Sequence, residues 1–216
     1  MAWTAPSTWV SGAILTAAQL NEQLRDNMLA AGPIYTNEAA RDAAITSPFE
    51  GQRAYLTAPT VPAATGATTA VPTGVTTIYN GTAWVCVTPV GAYSNTTGSS
   101  TTTSYYTTLT GDTTAITVTL VTGTTALLQM SAVCTHGTTG SVAWLSIAVS
   151  GATTLAASDS NAAALNVPVG GYNNSIARTL VLSGLTAGTN TFTLSYKGQT
   201  GTTTWTNRNL TVQGVA

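Results

Sequence analysis

Two hydrophobic periods divide the chain. Near the front, Leu20, Leu24 and Met28 recur at four-residue spacing, with Ala17 and Ala31 on nearby positions, which is one face of an α-helix. Thr16 stands before the stripe as a candidate N-cap, and Gln19 three residues on completes a capping box. Leu15 is placed to staple onto Leu20, and Gly32 with Pro33 ends the helix. The stripe is narrow, because Glu22, Gln23, Arg25 and Asp26 face water. A lone helix of about 15 residues is marginal in water. It is therefore expected to dock on its own β domain, on sister copies or on a host particle. A second short helix is predicted over residues 37–45 and is ended by Ser47-Pro48.

Beyond residue 50 the period becomes two. A strand is predicted over 52–56, then a Pro/Thr/Gly/Ala-rich loop over 57–73. Strands over 76–79 and 82–87 flank Asn80-Gly81, a hairpin signal that puts Trp84 and Cys86 on one face. Residues 94–104 read as a flexible polar link. After it, Tyr105–Leu109, Ile116/Val118/Leu120, Leu128/Met130/Ala132/Cys134, Leu145/Ile147/Val149, a weak strand over 153–156, Ile176/Leu180/Leu182, Phe192/Leu194/Tyr196, Trp205 and Leu210/Val212 mark about eight or nine short strands separated by turns. The expected fold is mainly β, a C-terminal antiparallel β-sandwich (jelly-roll-like) preceded by a short N-terminal helical segment and a small helix-plus-hairpin module. The expected divisions are 1–35, 36–93 and 94–216.

Composition changes this picture in one respect. Only 6% of residues are charged, against about 25% in an ordinary domain. Six Lys and Arg against seven Asp and Glu leave a net charge of −1, which excludes nucleic acid held by phosphate neutralisation. With 44% hydrophobic residues, charge-driven disorder is excluded too. Most charges lie in residues 1–53; afterwards only Asp112, Asp159, Arg178, Lys197 and Arg208 remain. No run reaches the roughly 18 apolar residues of a membrane span. The opening residues lack the basic start of a secretion signal, so they are not expected to be one. The polar surface is mostly Thr, which suits strands. A hydroxyl-coated, nearly uncharged surface suits a component of a larger assembly better than a free protein.

Little of the chain carries chemistry. Cys86 and Cys134 lie in different predicted modules and read either as a disulfide or as small apolar fillers. His136 is expected in an exposed turn over 135–140, without the further ligands that zinc needs. Asp159 reads as a turn-forming residue rather than a calcium ligand. Glu38, Arg41 and Asp42 read as a solvated helix face. A glycosidase needs paired carboxylates, and the β region offers only Asp112 and Asp159. No enzyme activity, metal or cofactor is expected. Trp3 and Trp9, in the extended segment before the first helix, either fold back on that helix or anchor the chain to a partner surface.

The opening Trp3-Thr-Ala-Pro-Ser-Thr-Trp-Val-Ser-Gly-Ala-Ile-Leu-Thr-Ala-Ala-Gln-Leu-Asn-Glu-Gln-Leu-Arg-Asp-Asn27 resembles the start of structural proteins of tailed bacteriophages that infect high-GC Gram-positive bacteria, the minor tail, tail-fibre and head-fibre proteins. Residues 40–55 with Ile78-Tyr-Asn-Gly-Thr-Ala-Trp-Val85 look like a small helix-plus-hairpin module of those proteins. Residues 185–197 and 207–212 are similar to the closing strands of their β-sandwich domains. The resemblance implies a non-enzymatic virion protein, homotrimeric, attached to other virion proteins of tail or capsid through Trp3, Trp9, Leu20, Leu24 and Met28. Its outer loops would bind a host cell-wall glycan, with Tyr172 or Trp205 stacking on sugar rings. At 216 residues the chain is short for a long fibre, which favours a compact spike, cap or decoration. A head fibre or capsid decoration protein, and a carbohydrate-binding module or adhesin, are the alternatives.

Overall fold

The computed structural model describes residues 12, 14, 16–20, 32–167 and 169–216. Trp3, Trp9, Leu24 and Met28 lie outside these. The short helix α1 (Ala17–Leu20) carries the expected capping box: the Thr16 amide donates to Gln19 Oε1 at 3.0 Å and the Gln19 amide donates to Thr16 Oγ1 at 3.3 Å.

The next elements are β1 (Ile34–Tyr35), α2 (Glu38–Ala44), β2 (Arg53–Leu56), β3 (Ala63–Thr65), β4 (Thr68–Ala70), β5 (Val75–Tyr79) and β6 (Trp84–Cys86). Asn37 caps α2 by accepting from the Ala40 amide at 3.0 Å. Strands β1-β2-β5-β6 make a four-stranded sheet, in which β1 runs parallel to β2 and the other pairs are antiparallel. The Asn80-Gly81 hairpin forms as its sequence dictates. Asn80 Oδ1 accepts from the Thr82 and Ala83 amides, Gly81 takes φ +87°, and Tyr79 pairs with Trp84. Ile45, Ala54 and Trp84 form a small core here, and the Arg41 guanidinium lies 4.7 Å from the centre of the Trp84 ring. Arg41 is therefore buried rather than part of a solvated face, since stacking on the indole offsets its desolvation while its Nε donates to Asp42.

The main body is two packed sheets. Its strands are β7 (Val90–Ser94), β8 (Gly98–Ser100), β9 (Thr117–Thr122), β10 (Thr125–His136), β11 (Val142–Gly151), β12 (Ala163–Asn166), β13 (Asn173–Ser183), β14 (Gly188–Gly198) and β15 (Thr203–Val215). One sheet has the order β12-β11-β14-β9-β3 and the other β13-β10-β15-β7-β4, with β8 also on β15. Every pair in them is antiparallel. The fold is thus mainly β and sandwich-like, as the period-two pattern predicts. Alternation along each strand puts Val118 and Leu120, Leu145 and Ile147, and Phe192 and Leu194 inward from one sheet. They meet Leu128, Met130, Leu210 and Val212 from the other, all buried in one core.

Three expectations about boundaries are corrected. The loop over 57–73 supplies β3 to one sheet and β4 to the other, and the chain steps between them at Gly66. A Cβ there would come within 2.9 Å of the Tyr93 carbonyl oxygen, so only a residue without a side chain fits. Residues 90–94 form β7 inside the six-stranded sheet, and Leu56, Val75 and Cys86 share the sandwich core. The polar link over 94–104 holds β8, paired with β15. The segment 105–109 is not the expected strand and makes only isolated bridges, Tyr106 to Tyr196 and Leu109 to Asp112.

Trp205 and the pair Leu210/Val212 belong to a single strand. Its register against β10 shifts between Ser131 and Val133, and Asn207 takes φ +49°. This bulge changes the alternation, so that Trp205, Arg208, Leu210 and Val212 all point inward.

Candidate functional site

The inward set on β11 and β14 is apolar apart from Asn190, so the alternate residues form the outer face of that sheet. There Trp144 pairs in register with Lys197, and Ser146 with Ser195. Two segments rise beside this face. One, residues 103–107, carries Tyr105. The other, residues 156–161, includes a single 3-10 turn (Asp159–Asn161). They converge on Lys197. Its Nζ lies 4.1 Å from the Trp144 ring centre and 4.9 Å from that of Tyr105, and it is ion-paired to Asp159 Oδ1. The Tyr105 hydroxyl donates to the same Asp159 oxygen at 2.8 Å. These donors hold the Asp159 carboxyl below its ordinary range, Lys197 first and then Tyr105. Burial pushes the Tyr105 phenol up, and donation to a carboxylate pushes it further.

Between the two segments lies a concavity of about 560 Å³, within the range of small-ligand sites. Its floor is Ala148, Ser195 and Lys197; Tyr105, Ala156 and Ala157 stand among its walls. Its lining therefore combines the Tyr105 and Tyr106 rings, small apolar surface, hydroxyls and Lys197. Arg178 Nη1 donates to the carbonyls of Ser160 and Ala162 at 3.0 and 2.6 Å, tying the 3-10 turn to β13.

The charges of residues 54–216 can now be placed. Asp112 and Arg208 pair inside the body, Asp159 and Lys197 pair at the concavity, and Arg178 is bound to two carbonyls. All five are engaged internally. Asp112 and Asp159 lie in different networks, so they do not form a carboxylate pair across one cleft.

The residues expected to contact glycan separate. Tyr172 is 67% exposed beside β13 and does not line the concavity. Trp205 is fully buried, its ring 5.4 Å from that of Tyr196, so it packs the core and has no face for a sugar. His136 is likewise buried, not in an exposed turn: it ends β10 and its Nδ1 accepts from the Thr138 amide at 3.0 Å. Cys86 and Cys134 are both free and buried, so they are apolar fillers. Among the described residues no three or more His, Cys, Asp or Glu side chains group as a metal site, and no helix is long and apolar enough to cross a membrane. The sequence reading missed Trp144 and Tyr105. Trp144 carried a signal, since it lies between the inward Ala143 and Leu145 and so had to face outward.

No protein-family description matches the chain, and no curated protein does. Some solved structures are similar to parts of the chain. Eiger TNF from S. frugiperda is 12% identical at a TM-score of 0.41, covering 59% of this chain and 92% of that one. The infectious bursal disease virus protein in derived T=1 particles is 15% identical at a TM-score of 0.43, and this chain spans 41% of it. TmCBM61, solved with β-1,4-galactotriose, is 14% identical at a TM-score of 0.26, covering 57% of this chain and 68% of that one.

Proposed function

We propose that the chain is a non-enzymatic structural protein of a bacteriophage virion. In this reading it is a homotrimeric tail spike, fibre or minor tail protein, held to other virion proteins by its N-terminal segment and turning its β-sandwich toward the host surface. The observation that carries the reading is the engagement of every charged side chain of residues 54–216 within the body. Such a body meets its surroundings through threonine, serine and amide groups. It has no electrostatic means of gathering a polyanion. It is built to be placed by another part of the chain, and the opening segment from Trp3 to Asn27, with its resemblance to phage structural proteins, is that part.

The test is incorporation. Phage carrying a deletion of residues 1–32 are expected to produce a folded sandwich that is absent from purified particles. Normal incorporation of the truncated chain would remove the attachment role. Antibody labelling should place the intact protein at the tail in a handful of copies; tens of copies per head would make it a capsid decoration instead. Light scattering on the purified chain should give three copies per particle in solution, and a monomer would overturn the trimer.

A further inference from the structure

We infer that the outer face of the six-stranded sheet binds a neutral, unbranched β-linked oligosaccharide laid across its strands. This names the ligand class and the place of the host-surface contact in the reading above, on which it rests for its biology.

Strand register builds the site. Across β13, β10, β15, β7 and β4, the residues Thr179, Gln129, Thr211, Gly91 and Ala70 stand in one line. Ala177, Ser131, Asn209, Tyr93 and Thr68 stand in the next. Both lines lie on the face opposite the core, because they alternate with the inward residues of the same strands. Each line is about 19 Å long and the two are about 7 Å apart, which suits one extended chain of about four sugar rings. Two depressions of about 390 and 160 Å³ follow the lines and meet at Asn209 and Thr211, which border both.

The lining is neutral and polar. Arg178 borders one depression, but its guanidinium is committed to two carbonyls, and the lining holds no other charged residue. A phosphate or carboxylate therefore finds no counter-charge. Among the described residues, the side chains of Gln129, Ser131, Thr179, Asn209 and Thr211 make no hydrogen bond within the chain. Two amides and three hydroxyls are thus left to donate to and accept from sugar hydroxyls. Tyr93 adds a ring for the C–H face of a sugar. Its hydroxyl donates to Asn207 Oδ1 at 3.4 Å, and no cation of the described residues lies over it. A peptide has less to hold. The backbones of β10 and β15 are paired on both sides, so no strand can be added to them, and Met130, the one large aliphatic residue of the lining, is 3% exposed.

Gly91 shows that the depth of the trough is not a packing requirement. It takes no positive φ, and an added Cβ would stand 3.4 Å from Thr211 Oγ1 and 3.6 Å from the Ala70 Cβ, in ordinary contact. A side chain there would suit the fold and fill the trough.

The experiment is an NMR titration of the purified chain with cellotetraose, cellobiose, maltotetraose and tetragalacturonic acid, read at the side-chain amide signals of Gln129 and Asn209. Cellotetraose should shift both. Cellobiose, which spans half of each line, and maltotetraose, whose chain curves, should each bind about tenfold or more weaker. Tetragalacturonic acid should leave the signals in place. Gly91→Val should abolish cellotetraose binding, and Asn209→Ala should weaken it about fivefold. Asn209 is exposed, so its variant tests the site without endangering the fold. No shift with cellotetraose, equal binding of maltotetraose or tetragalacturonic acid, or native affinity in both variants would overturn the inference. Shifts of the same amides on concentrating the protein without sugar would assign this face to a second copy and overturn it too. Because the purified chain is used, these outcomes are separate from whether the protein is found in particles.

Discussion

Arg208 on β15 donates from Nη2 to the Asp112 carboxylate inside the sandwich, where the Arg208 side chain is wholly buried and that of Asp112 is 7% exposed. The Ser94 hydroxyl also donates to Asp112 at 2.7 Å, and Arg208 Nη2 reaches Ser94 Oγ at 3.0 Å and the Thr96 carbonyl at 3.3 Å. Arg208 Nη1 donates to the hydroxyl of Tyr196, on the opposite sheet, at 3.4 Å. One buried ion pair thus fastens the long segment between β8 and β9 to the middle of the body. Removing one partner leaves a buried charge uncompensated. Arg208→Met alone is therefore expected to cost about 3–5 kcal/mol in urea unfolding, whereas Arg208→Met with Asp112→Asn should recover much of that loss. A single variant as stable as the double would contradict this account.

The same pair sets an acid limit. Burial pushes the Asp112 carboxyl up, but the Ser94 hydroxyl, the Thr114 amide and the Arg208 charge outweigh it, and the net direction is down. A carboxylate lowered in the folded state adds stability above its unfolded value of about 3.9, and that stability disappears as pH falls through the folded value. Unfolding midpoints are expected to fall below about pH 4 in the native chain. The fall should be shallower in the Asp112→Asn, Arg208→Met double variant.

Glu38 does comparable work at the junction of helix and sandwich. Its carboxylate accepts from the Thr60 amide at 3.0 and 3.1 Å, the Thr60 hydroxyl at 3.0 Å and the Val61 amide at 2.9 Å. Burial raises its pKa, and these donors lower it further than burial raises it. Glu38→Ala should cost about 1–2 kcal/mol and speed hydrogen exchange at the Thr60 and Val61 amides. Unchanged exchange at both would show that the carboxylate does not hold this turn.

The two thiols should be silent in the folded chain. Burial pushes Cys134 up to about 11 and raises Cys86 as well. Ellman's reagent at pH 8 is expected to find no reactive thiol in the native protein and two in denaturant. A single mass with and without reductant should accompany that result.

At the bulge, Asn207 is the residue with φ +49°. Asn tolerates the left-handed region and a β-branched residue does not. Asn207→Val is expected to destabilise by about 1–3 kcal/mol, and Asn207→Gly by much less. Equal effects would mean that backbone conformation at this position is unimportant.

Much of the architecture was legible along the chain. The alternation of Ile116 to Leu120, Leu128 to Cys134 and Phe192 to Tyr196 reports which side of a strand is dry, and period two is a local property. Asn80-Gly81, Asn37 and the Thr16–Gln19 box are local too, because their hydrogen bonds close within a few residues. The short edge strands β3, β4, β8 and β12 were not legible. Their Thr, Ser, Gly and Ala carry no pattern of their own, and they become strands only because β9, β7, β15 and β11 present open edges to them.

By itself, then, the amino-acid order determined a mainly β body with few charges and the turns that divide its strands, since burial pattern and turn chemistry act over neighbouring residues. Tertiary structure alone decided that Trp205 is core while Trp144 meets Lys197 at the surface, and that Asp112 lies against Arg208 while Asp159 lies against Tyr105. Those partners are tens of residues apart: the β11–β14 register sets Trp144 beside Lys197, the bulge at Asn207 turns Arg208 inward to Asp112, and two segments between strands bring Asp159 to Tyr105.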